Sequence, residues 1–307
     1  MKSSNNISYL DYNATTPIDP RVLEAMLPFL KDNFANPSST HNFGQSINEE
    51  VKQAREQIAD VINAEPNELI FTSGATEAIN IALKGVAESY LSKGKHIITV
   101  STEHKAVLDT CKDLEKKGFE VTYLSVLQSG LIDLAELQKA FRPDTVLVSV
   151  MYVNNETGVI QPIKEIAKLA HEKGALFMTD ATQAVGKIEI DVNDLGIDLL
   201  CFSGHKMYAP KGIGALYVRN KTKLSPQIHG GGHEQGLRSG TLNVPGIIGL
   251  AKACEIASEE MASNQRNISA LRDKLETELL KLPNTSLNGD SENKIYNTTN
   301  ICFKGQD

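Results

Sequence analysis

Apolar runs with the character of β-strands alternate with helical patterns through the middle of the chain. In chain order, strands are predicted at 97–100, 120–124, 145–150 and 175–179, and the helices between them at 105–117, 133–141 and 162–173. Asp133 suits an N-cap, and Pro162 and Gly174 suit the two ends of the last helix. This alternation predicts an α/β fold, in which a mostly parallel sheet is covered by helices on both faces.

The two ends of the chain lack this alternation. After an irregular N-terminal arm, amphipathic helices are predicted at about 20–34 and 45–63. Towards the C-terminus, residues 243–282 predict one long helix or two joined helices. A polar loop at 284–293 then leads to a single short strand at 299–303.

These patterns predict a division into an arm (1–15), a large domain (16–245), and a linking helix with the start of a small α+β domain (246–307). One strand and one helix bury too little apolar surface to form a stable domain. We therefore expect the small domain to be incomplete in these 307 residues. The chain is then either part of a longer protein or a natural short form.

Composition excludes several classes of function. The net charge is −7 and there is no tract dense in lysine or arginine, so nucleic acid is not expected as a direct partner. No apolar run approaches the roughly 18 residues of a membrane span, and the polar segment 1–8 does not resemble a secretory signal. Four cysteines are scattered without CxxC spacing, which argues against a zinc site or a disulfide framework and favours the reducing cytoplasm.

Two strand ends carry side chains that suit pyridoxal 5′-phosphate (PLP). The apolar run 197–202 is followed by the tetrapeptide Ser-Gly-His-Lys at 203–206, which brings a hydroxyl, an imidazole and an amine to one edge of the sheet. The run 175–179 ends in Asp180, with Gln183 three residues later. PLP needs a lysine that forms a Schiff base and an acid that keeps its pyridine nitrogen protonated. Because ligands gather at the carboxyl ends of parallel strands, we expect these residues to lie together.

Three further segments are expected near the same edge. The short run 68–71 breaks at Ser-Gly and opens a helix at about 76–90, whose N-terminal N–H groups suit a bound anion. His104 follows the strand at 97–100, and the segment 152–158 follows the strand at 145–150. The loop 229–241 is rich in glycine; its two histidines do not have a metal-binding spacing, and its glycines allow a close approach of the backbone to a phosphate.

Together these stretches resemble the cysteine desulfurases of the class V aminotransferase family. The matching segments run from Tyr9 to about Val244 and read YLDYNATTP, NPSS, FTSGATEAIN, TEHKAVL, VNNETG, TDATQAVGK, SGHKMYAPKG and HGGGHEQGLRSGT. The combination of SGHK, TDATQ and HGGGxExGxRSGT is highly specific for the family. The resemblance implies the PLP-dependent transferase fold of the aspartate-aminotransferase type, with a seven-stranded sheet.

The resemblance also implies roles for the residues of the site. Lys206 forms the Schiff base with PLP and, together with His104, moves protons; His104 in addition stacks on the ring. Asp180 pairs with the pyridine nitrogen and Gln183 bonds the phenolic oxygen. Asn155 lies near that oxygen and near the substrate carboxylate.

The phosphate of PLP is expected to be bound by Ser203, His205 and Thr76, with backbone help from Ala75. Thr241 is expected to reach the phosphate held by a second copy of the chain, which implies a homodimer. The implied reaction converts L-cysteine into L-alanine and passes the sulfur, as a persulfide, to sulfur-acceptor or iron–sulfur scaffold proteins, for iron–sulfur cluster assembly or tRNA thiolation. No metal ion is expected.

Members of the family carry the persulfide cysteine on a mobile loop beyond the strand that 299–303 resembles, and a carboxylate-binding arginine further on. The chain has no match for either, and Cys111, Cys201, Cys254 and Cys302 lie within helical or strand patterns. We therefore expect the 307-residue chain to perform the desulfuration step poorly. Two alternatives stay open: another PLP enzyme of the same fold, such as a selenocysteine lyase or a transaminase, and a non-catalytic PLP-binding scaffold that docks acceptor proteins.

Overall fold

A mixed seven-stranded sheet forms the centre of the molecule in a computed structural model, which describes residues 8–305. The sheet consists of β1 (Leu69–Thr72), β2 (His96–Val100), β3 (Glu120–Leu124), β4 (Thr145–Ser149), β5 (Leu176–Asp180), β6 (Leu199–Ser203) and β7 (Gly214–Val218). Their spatial order is β3-β2-β4-β5-β6-β7-β1. Only β7 runs antiparallel to its neighbours, so the predicted mostly parallel sheet is confirmed.

Helices cover both faces of this sheet, as the sequence predicts. They are α1 (Pro20–Lys31), α2 (Asn42–Asp60), α3 (Ala75–Ser89), α4 (Lys105–Lys116), α5 (Leu134–Ala140), α6 (Ile163–Glu172) and α7 (Val244–Leu279). The apolar sides of α3 and α4 pack in one buried cluster, and those of α1, α2, α6 and α7 pack in the other. The strands β4, β5, β6 and β7 therefore have apolar residues on both faces, which explains their nearly continuous apolar sequences.

The ends of the helices follow local chemistry that the sequence carries. The carboxylate of Asp133 accepts hydrogen bonds from the backbone N–H groups of Ala135 (2.8 Å) and Glu136 (3.3 Å), so it caps α5 as predicted. Gly174 follows α6 with a φ of +73°, a conformation that favours glycine. Helices α1 and α2 both end three residues earlier than predicted, at Lys31 and Asp60.

The C-terminal part differs from the prediction. Helix α7 is a single helix, and the predicted polar loop at 284–293 begins with a strand, β8 (Thr285–Leu287), which pairs antiparallel with β9 (Ile301–Phe303). The prediction of a lone strand is therefore wrong. Three residues reading Thr-Ser-Leu carry no strand periodicity, and the pairing depends on partners 14 to 18 positions further along the chain. The proposed division at residue 245 stays a prediction.

Helix α7 connects the sheet to this small pair of strands. Its first half is buried against α1 and α2, and its second half is mostly exposed. Near its C-terminal end, Arg272 donates hydrogen bonds to the carbonyl oxygens of Ile295 (3.0 Å) and Thr298 (3.2 Å). None of the helices within residues 8–305 is both long enough and apolar enough to cross a membrane.

Candidate active site

A cavity of about 750 Å³ opens at the carboxyl ends of the central strands. Nine of the ten predicted cofactor-binding residues line it: Ala75, Thr76, His104, Asn155, Asp180, Gln183, Ser203, His205 and Lys206. The tenth, Thr241, does not line the cavity of its own chain. The expectation that separate strand ends converge on one site is therefore confirmed.

Asp180 is the buried acid of the cavity. It is the last residue of β5 and is 6% exposed, and its carboxylate accepts a hydrogen bond from the backbone N–H of Thr182 at 3.0 Å. Burial raises the pKa of Asp180, although the bonds from Thr182 and the nearby His104 and Lys206 oppose the rise. Within residues 8–305 no cation forms an ion pair with this carboxylate, so its charge is poorly compensated.

Lys206 lies in the short turn after β6 and is held by the N-terminal arm. Its Nζ donates hydrogen bonds to the carbonyl oxygens of Asn13 and Ala14, the latter at 2.7 Å. Burial lowers the pKa of Lys206, while Asp11 and Asp180 act in the opposite direction. A lowered pKa leaves more of the amine unprotonated near neutral pH, which is the form that reacts with a carbonyl group.

The other half of the tetrapeptide is also positioned by the arm. The Nδ1 of His205 lies 3.1 Å from the hydroxyl of Thr15, and its carbonyl accepts from the backbone N–H of Thr16 at 3.0 Å. Burial, followed by the positive charges of Lys206 and Lys211, lowers the pKa of His205 to about 4. The imidazole is therefore neutral at physiological pH and acts as a hydrogen-bonding group rather than as a cation.

The N-terminus of α3 forms a narrow wall of the cavity. Gly74 precedes the helix with a φ of +151°, and a Cβ at this position would lie 3.3 Å from the hydroxyl of Ser203. Gly214 is equally constrained, because a Cβ there would lie 2.7 Å from the Cα of Gly74. β1 and β6 both pair with β7, and Gly214 is the partner of Thr72 and of Ser203. The two glycines thus bring the α3 N-terminus against the end of β6.

Glu77 in the first turn of α3 is neutralised by an arginine. It accepts a hydrogen bond from Arg238 Nε at 2.7 Å and another from the backbone N–H of Ser73 at 2.7 Å. Burial opposes ionisation, but the bonds from Arg238 and Ser73 hold the pKa of Glu77 below its usual range. The helix therefore keeps an N-terminus at which an anion can bind.

His104 caps helix α4 and lines the cavity at the same time. Its Nδ1 accepts a hydrogen bond from the backbone N–H of Ala106 at 3.1 Å. Since Nδ1 is the acceptor, the neutral ring carries its proton on Nε2. His104 therefore has a structural role at the start of α4, and the role expected from the resemblance stays a prediction.

Gln183 and Asn155 line the cavity next to the arm. The side-chain NH₂ of Gln183 donates to the carbonyl oxygen of Asn13 at 3.0 Å, and its Oε1 accepts from Lys187 Nζ at 2.7 Å. The carbonyl of Asn155 accepts from the side chain of Asn13 at 3.3 Å. Asn13 thus connects three segments that are far apart in sequence.

The glycine-rich loop reaches the cavity only indirectly. None of residues 229–241 lines the cavity of this chain. Arg238 instead contacts Glu77, and Glu234 is bound by Arg55 at 2.6 Å and by the backbone N–H of Phe71 at 2.7 Å. Thr241 is exposed to solvent, and whether it meets a second copy stays a prediction. Within residues 8–305 no cluster of histidine, cysteine and acidic residues could hold a metal ion.

None of the four cysteines lines the cavity. Cys111, Cys201 and Cys254 are buried, and Cys302 is partly exposed in β9. Burial raises the pKa of Cys111 and Cys254 to about 12 and that of Cys201 well above its usual range. These thiols are therefore poorly suited to form the reactive thiolate.

Sequence reasoning missed several groups that shape the site. The arm residues Asp11, Asn13, Ala14 and Thr15 line the cavity, although the sequence predicts only an irregular segment there. The available signal was the motif YLDYNATTP at 9–17, which contains all four residues. Lys187 was a second omission, since no pattern marks a single lysine in a turn as buried.

The residues of the cavity fit PLP on three observations. The buried carboxylate of Asp180 has no ion pair among the described residues, so a protonated ring nitrogen would supply the missing charge. No side chain within residues 8–305 caps α3, so its first N–H groups are available to a phosphate. Lys206 supplies an amine with a lowered pKa. This fold with this site defines the class of PLP-dependent enzymes of the transferase type.

The chain belongs to the class V aminotransferase family, whose profile, described as "Aminotransferase class-V", matches residues 8–307. It is 55% identical over 298 residues to a protein of Methylococcus capsulatus named cysteine desulfurase IscS, covering 96% of this chain and 74% of the relative. It is 53% identical over 300 residues to cysteine desulfurase IscS of Escherichia coli, with the same coverage.

Similar solved structures support the same family assignment. A protein titled NifS-like superposes with a TM-score of 0.93 at 44% identity, covering 96% of this chain and 81% of that chain. DndA from Streptomyces lividans superposes with a TM-score of 0.87 at 42% identity, covering 98% and 86%. The family assignment expected from the sequence motifs is therefore confirmed, and PLP is the cofactor of the family.

Proposed function

We propose that this chain binds PLP at Lys206 and acts on L-cysteine as a cysteine desulfurase. The observation that carries the proposal is the convergence of Lys206, Asp180 and His104 on one cavity. The identity of 53–55% to proteins named cysteine desulfurase supports the choice of substrate. The reaction removes the sulfur of L-cysteine to a thiol, giving L-alanine and a persulfide.

Each residue of the site has a physical role in this proposal. When bound, PLP supplies an electron sink for the pair released from the Cα–H bond of the substrate. Lys206 would hold PLP through its amine and would take the Cα proton of the substrate. Asp180 compensates the proton on the ring nitrogen, and the Nε2 of His104 exchanges protons with the substrate. Ser203, His205, Thr76 and the backbone at Ala75 hold the phosphate.

The thiol that receives the sulfur is proposed to lie outside the four cysteines of these 307 residues. Three of them are buried with raised pKa values, and Cys302 does not line the cavity. An added thiol RSH would serve as acceptor, with cysteine and RSH giving alanine and RSSH. We also propose that the physiological acceptors are sulfur-carrier or iron–sulfur scaffold proteins and that the site of action is the cytoplasm.

The chain is further proposed to act as a homodimer. Phe34 and Phe43 are 75% and 40% exposed, and their rings pack edge-on with centroids 5.6 Å apart. Exposed apolar residues that cluster in this way favour an interface. Phe34→Glu is expected to lower the mass measured by light scattering during gel filtration, and Glu49→Lys on the exposed face of α2 serves as the control.

An absorbance experiment tests the cofactor site. The purified chain is loaded with PLP, and a visible band is expected that shifts when cysteine is added. The band should be absent from Lys206→Ala and present in Lys168→Ala, whose lysine is 75% exposed on α6. A band that persists unchanged in Lys206→Ala would contradict the proposed site.

A product assay tests the reaction. With added dithiothreitol, slow alanine release from cysteine is expected, and only from the PLP-loaded chain. Intact-mass spectra should show no sulfur added to the chain. Faster turnover of selenocysteine than of cysteine would favour the selenocysteine lyase alternative. Retained PLP binding with no product from either substrate would favour a non-catalytic scaffold.

A further inference from the structure

Lys187 is a buried lysine to which the proposed mechanism assigns no role. It lies in the turn that follows β5 and is 9% exposed. Within residues 8–305 no carboxylate forms an ion pair with its amine, and the Nζ donates its hydrogen bond to Gln183 Oε1 at 2.7 Å. Burial of a lysine without a counter-charge costs free energy, so its amine needs a specific hydrogen-bonding contact.

The contact with Lys187 fixes the orientation of an amide. The oxygen and nitrogen of a glutamine side chain are almost identical in shape but opposite in hydrogen-bonding character. In Gln183, Oε1 accepts from Lys187, and Nε2 donates to the carbonyl oxygen of Asn13 at 3.0 Å. A flipped amide would place two N–H donors against the amine and an oxygen against a carbonyl oxygen. Lys187 and Asn13 together therefore select one orientation.

The selected orientation matters because of where Gln183 lies. Gln183 lines the cavity, and the carbonyl oxygen of Asn13 that it contacts also accepts from Lys206 Nζ. Lys187 is thus connected to Lys206 through two hydrogen-bonded groups. One N–H of the Gln183 amide is used by Asn13, so with the amide held in this way the other N–H, rather than an oxygen, is available to the cavity.

The charged groups around Lys187 leave its contact with Gln183 intact. Burial, followed by the charge of Lys206, lowers the pKa of Lys187 to about 7. In either protonation state the amine keeps at least two N–H donors, so the contact with Gln183 survives. On its other side Lys187 borders a second cavity of about 350 Å³, where Asp19 and Glu260 are both occupied by Arg21, at 2.8 and 2.6 Å.

We propose that Lys187 is a positioning residue of the PLP site, which acts by holding the Gln183 amide with its NH₂ group turned towards Asn13 and the cavity. The proposal rests on the proposed binding of PLP at Lys206. It predicts that replacement of Lys187 changes the dissociation constant of PLP and the pH midpoint of its absorbance, and that both changes act through Gln183.

The test compares Lys187→Met, Gln183→Met and the double variant, with Lys168→Met as a control for an exposed lysine. Two properties of the PLP-loaded chain are measured: the dissociation constant of PLP, and the pH midpoint of its visible absorbance. Lys187→Met is expected to weaken PLP binding by about 2- to 13-fold, the range of one net hydrogen bond. It should also move the midpoint to higher pH, because N–H donors and positive charge near the ring disfavour a proton on the linkage to Lys206.

The double variant distinguishes action through Gln183 from a direct effect of charge. If Lys187 acts through the amide, the changes in the double variant are smaller than the sum of those in the two single variants. Additive changes, or a Lys187→Met variant that behaves like Lys168→Met, would overturn the proposal.

The same cycle of variants in the cofactor-free chain separates this proposal from the proposed function. Urea unfolding is expected to show a coupling between Lys187 and Gln183, because removal of the amine leaves Gln183 Oε1 buried without a donor. A chain that never binds PLP would refute the proposed function. Absence of coupling in the cofactor-free chain would refute the role of Lys187, whatever the result with PLP.

Discussion

Glu234 anchors the glycine-rich loop, and its removal should destabilise the whole chain. The side chain of Glu234 is 3% exposed and is bound by Arg55 at 2.6 Å and by the backbone N–H of Phe71 at 2.7 Å. Arg55 in turn lies 4.3 Å above the ring of Phe71 and donates to the carbonyl oxygen of Leu69 at 2.6 Å. The loop is thereby attached to α2 and to β1 at the sheet edge next to the PLP site.

The expected loss in free energy of unfolding follows from the groups that lose their partner in Glu234→Ala. Arg55, whose side chain is 18% exposed, loses its counter-charge, and the Phe71 N–H loses its acceptor. Breaking a buried ion pair by removing one partner costs about 3–5 kcal/mol. Glu234→Gln keeps an oxygen for Phe71 and should cost only about 1–3 kcal/mol.

Urea unfolding of the cofactor-free chain, followed by circular dichroism, measures these costs. With a slope of about 3 kcal/mol per molar urea, Glu234→Ala should lower the midpoint by about 1 M or more. The matched control is Glu49→Ala, which removes an exposed i,i+3 pair with Lys52 and should cost no more than about 1 kcal/mol. The reasoning is refuted if Glu234→Ala unfolds like Glu49→Ala, or if Gln and Ala at position 234 cost the same.

Three further predictions follow from the site and the sheet. Arg238→Met should raise the dissociation constant of PLP at least about tenfold in equilibrium dialysis, because the uncompensated charge of Glu77 would repel the phosphate. The control Arg142→Met, at an exposed arginine, should leave the dissociation constant unchanged. Gly214→Ala should lower both the urea midpoint and PLP binding, since its Cβ would lie 2.5 Å from the carbonyl oxygen of Phe202; normal binding would contradict the packing described. Burial, with Arg142, lowers the pKa of His96 in the folded chain. The unfolded chain therefore binds a proton that the folded chain does not, so the free energy of unfolding should decrease as the pH is lowered past about 6.5. His96→Asn should flatten this decrease in urea midpoints measured between pH 5 and 7.5.

The convergence of the proposed site residues could be predicted from the sequence because each lies at the carboxyl end of a strand or just beyond it. Asp180 and Ser203 end β5 and β6, Lys206 follows three residues later, and parallel strands bring their carboxyl ends to one edge. The fold class followed from the same alternation. The antiparallel strand β7 was not predicted, since its direction depends on the loop 207–213 and not on any periodicity within the strand.

The groups that position the chemistry could not be predicted, because their roles depend on contacts between distant parts of the chain. Asn13 contacts residues 142, 170 and 193 positions away, at Asn155, Gln183 and Lys206. Nothing local distinguishes its backbone carbonyl from any other. Pairing between Arg238 and Glu77, 161 positions apart, is equally invisible to helical or strand periodicity.

This difference has a consequence for how the site forms. The proposed catalytic side chains lie at the ends of strands whose burial fixes their place. The amine of Lys206 and the amide of Gln183, however, are oriented by an arm that has no regular structure of its own. The arm is kept in place by further long-range bonds, such as that from Asn13 to the hydroxyl of Thr298 at 3.0 Å, just before β9. Folding of the C-terminal strand pair therefore supports the orientation of Lys206, although neither strand contributes a residue to the cavity lining.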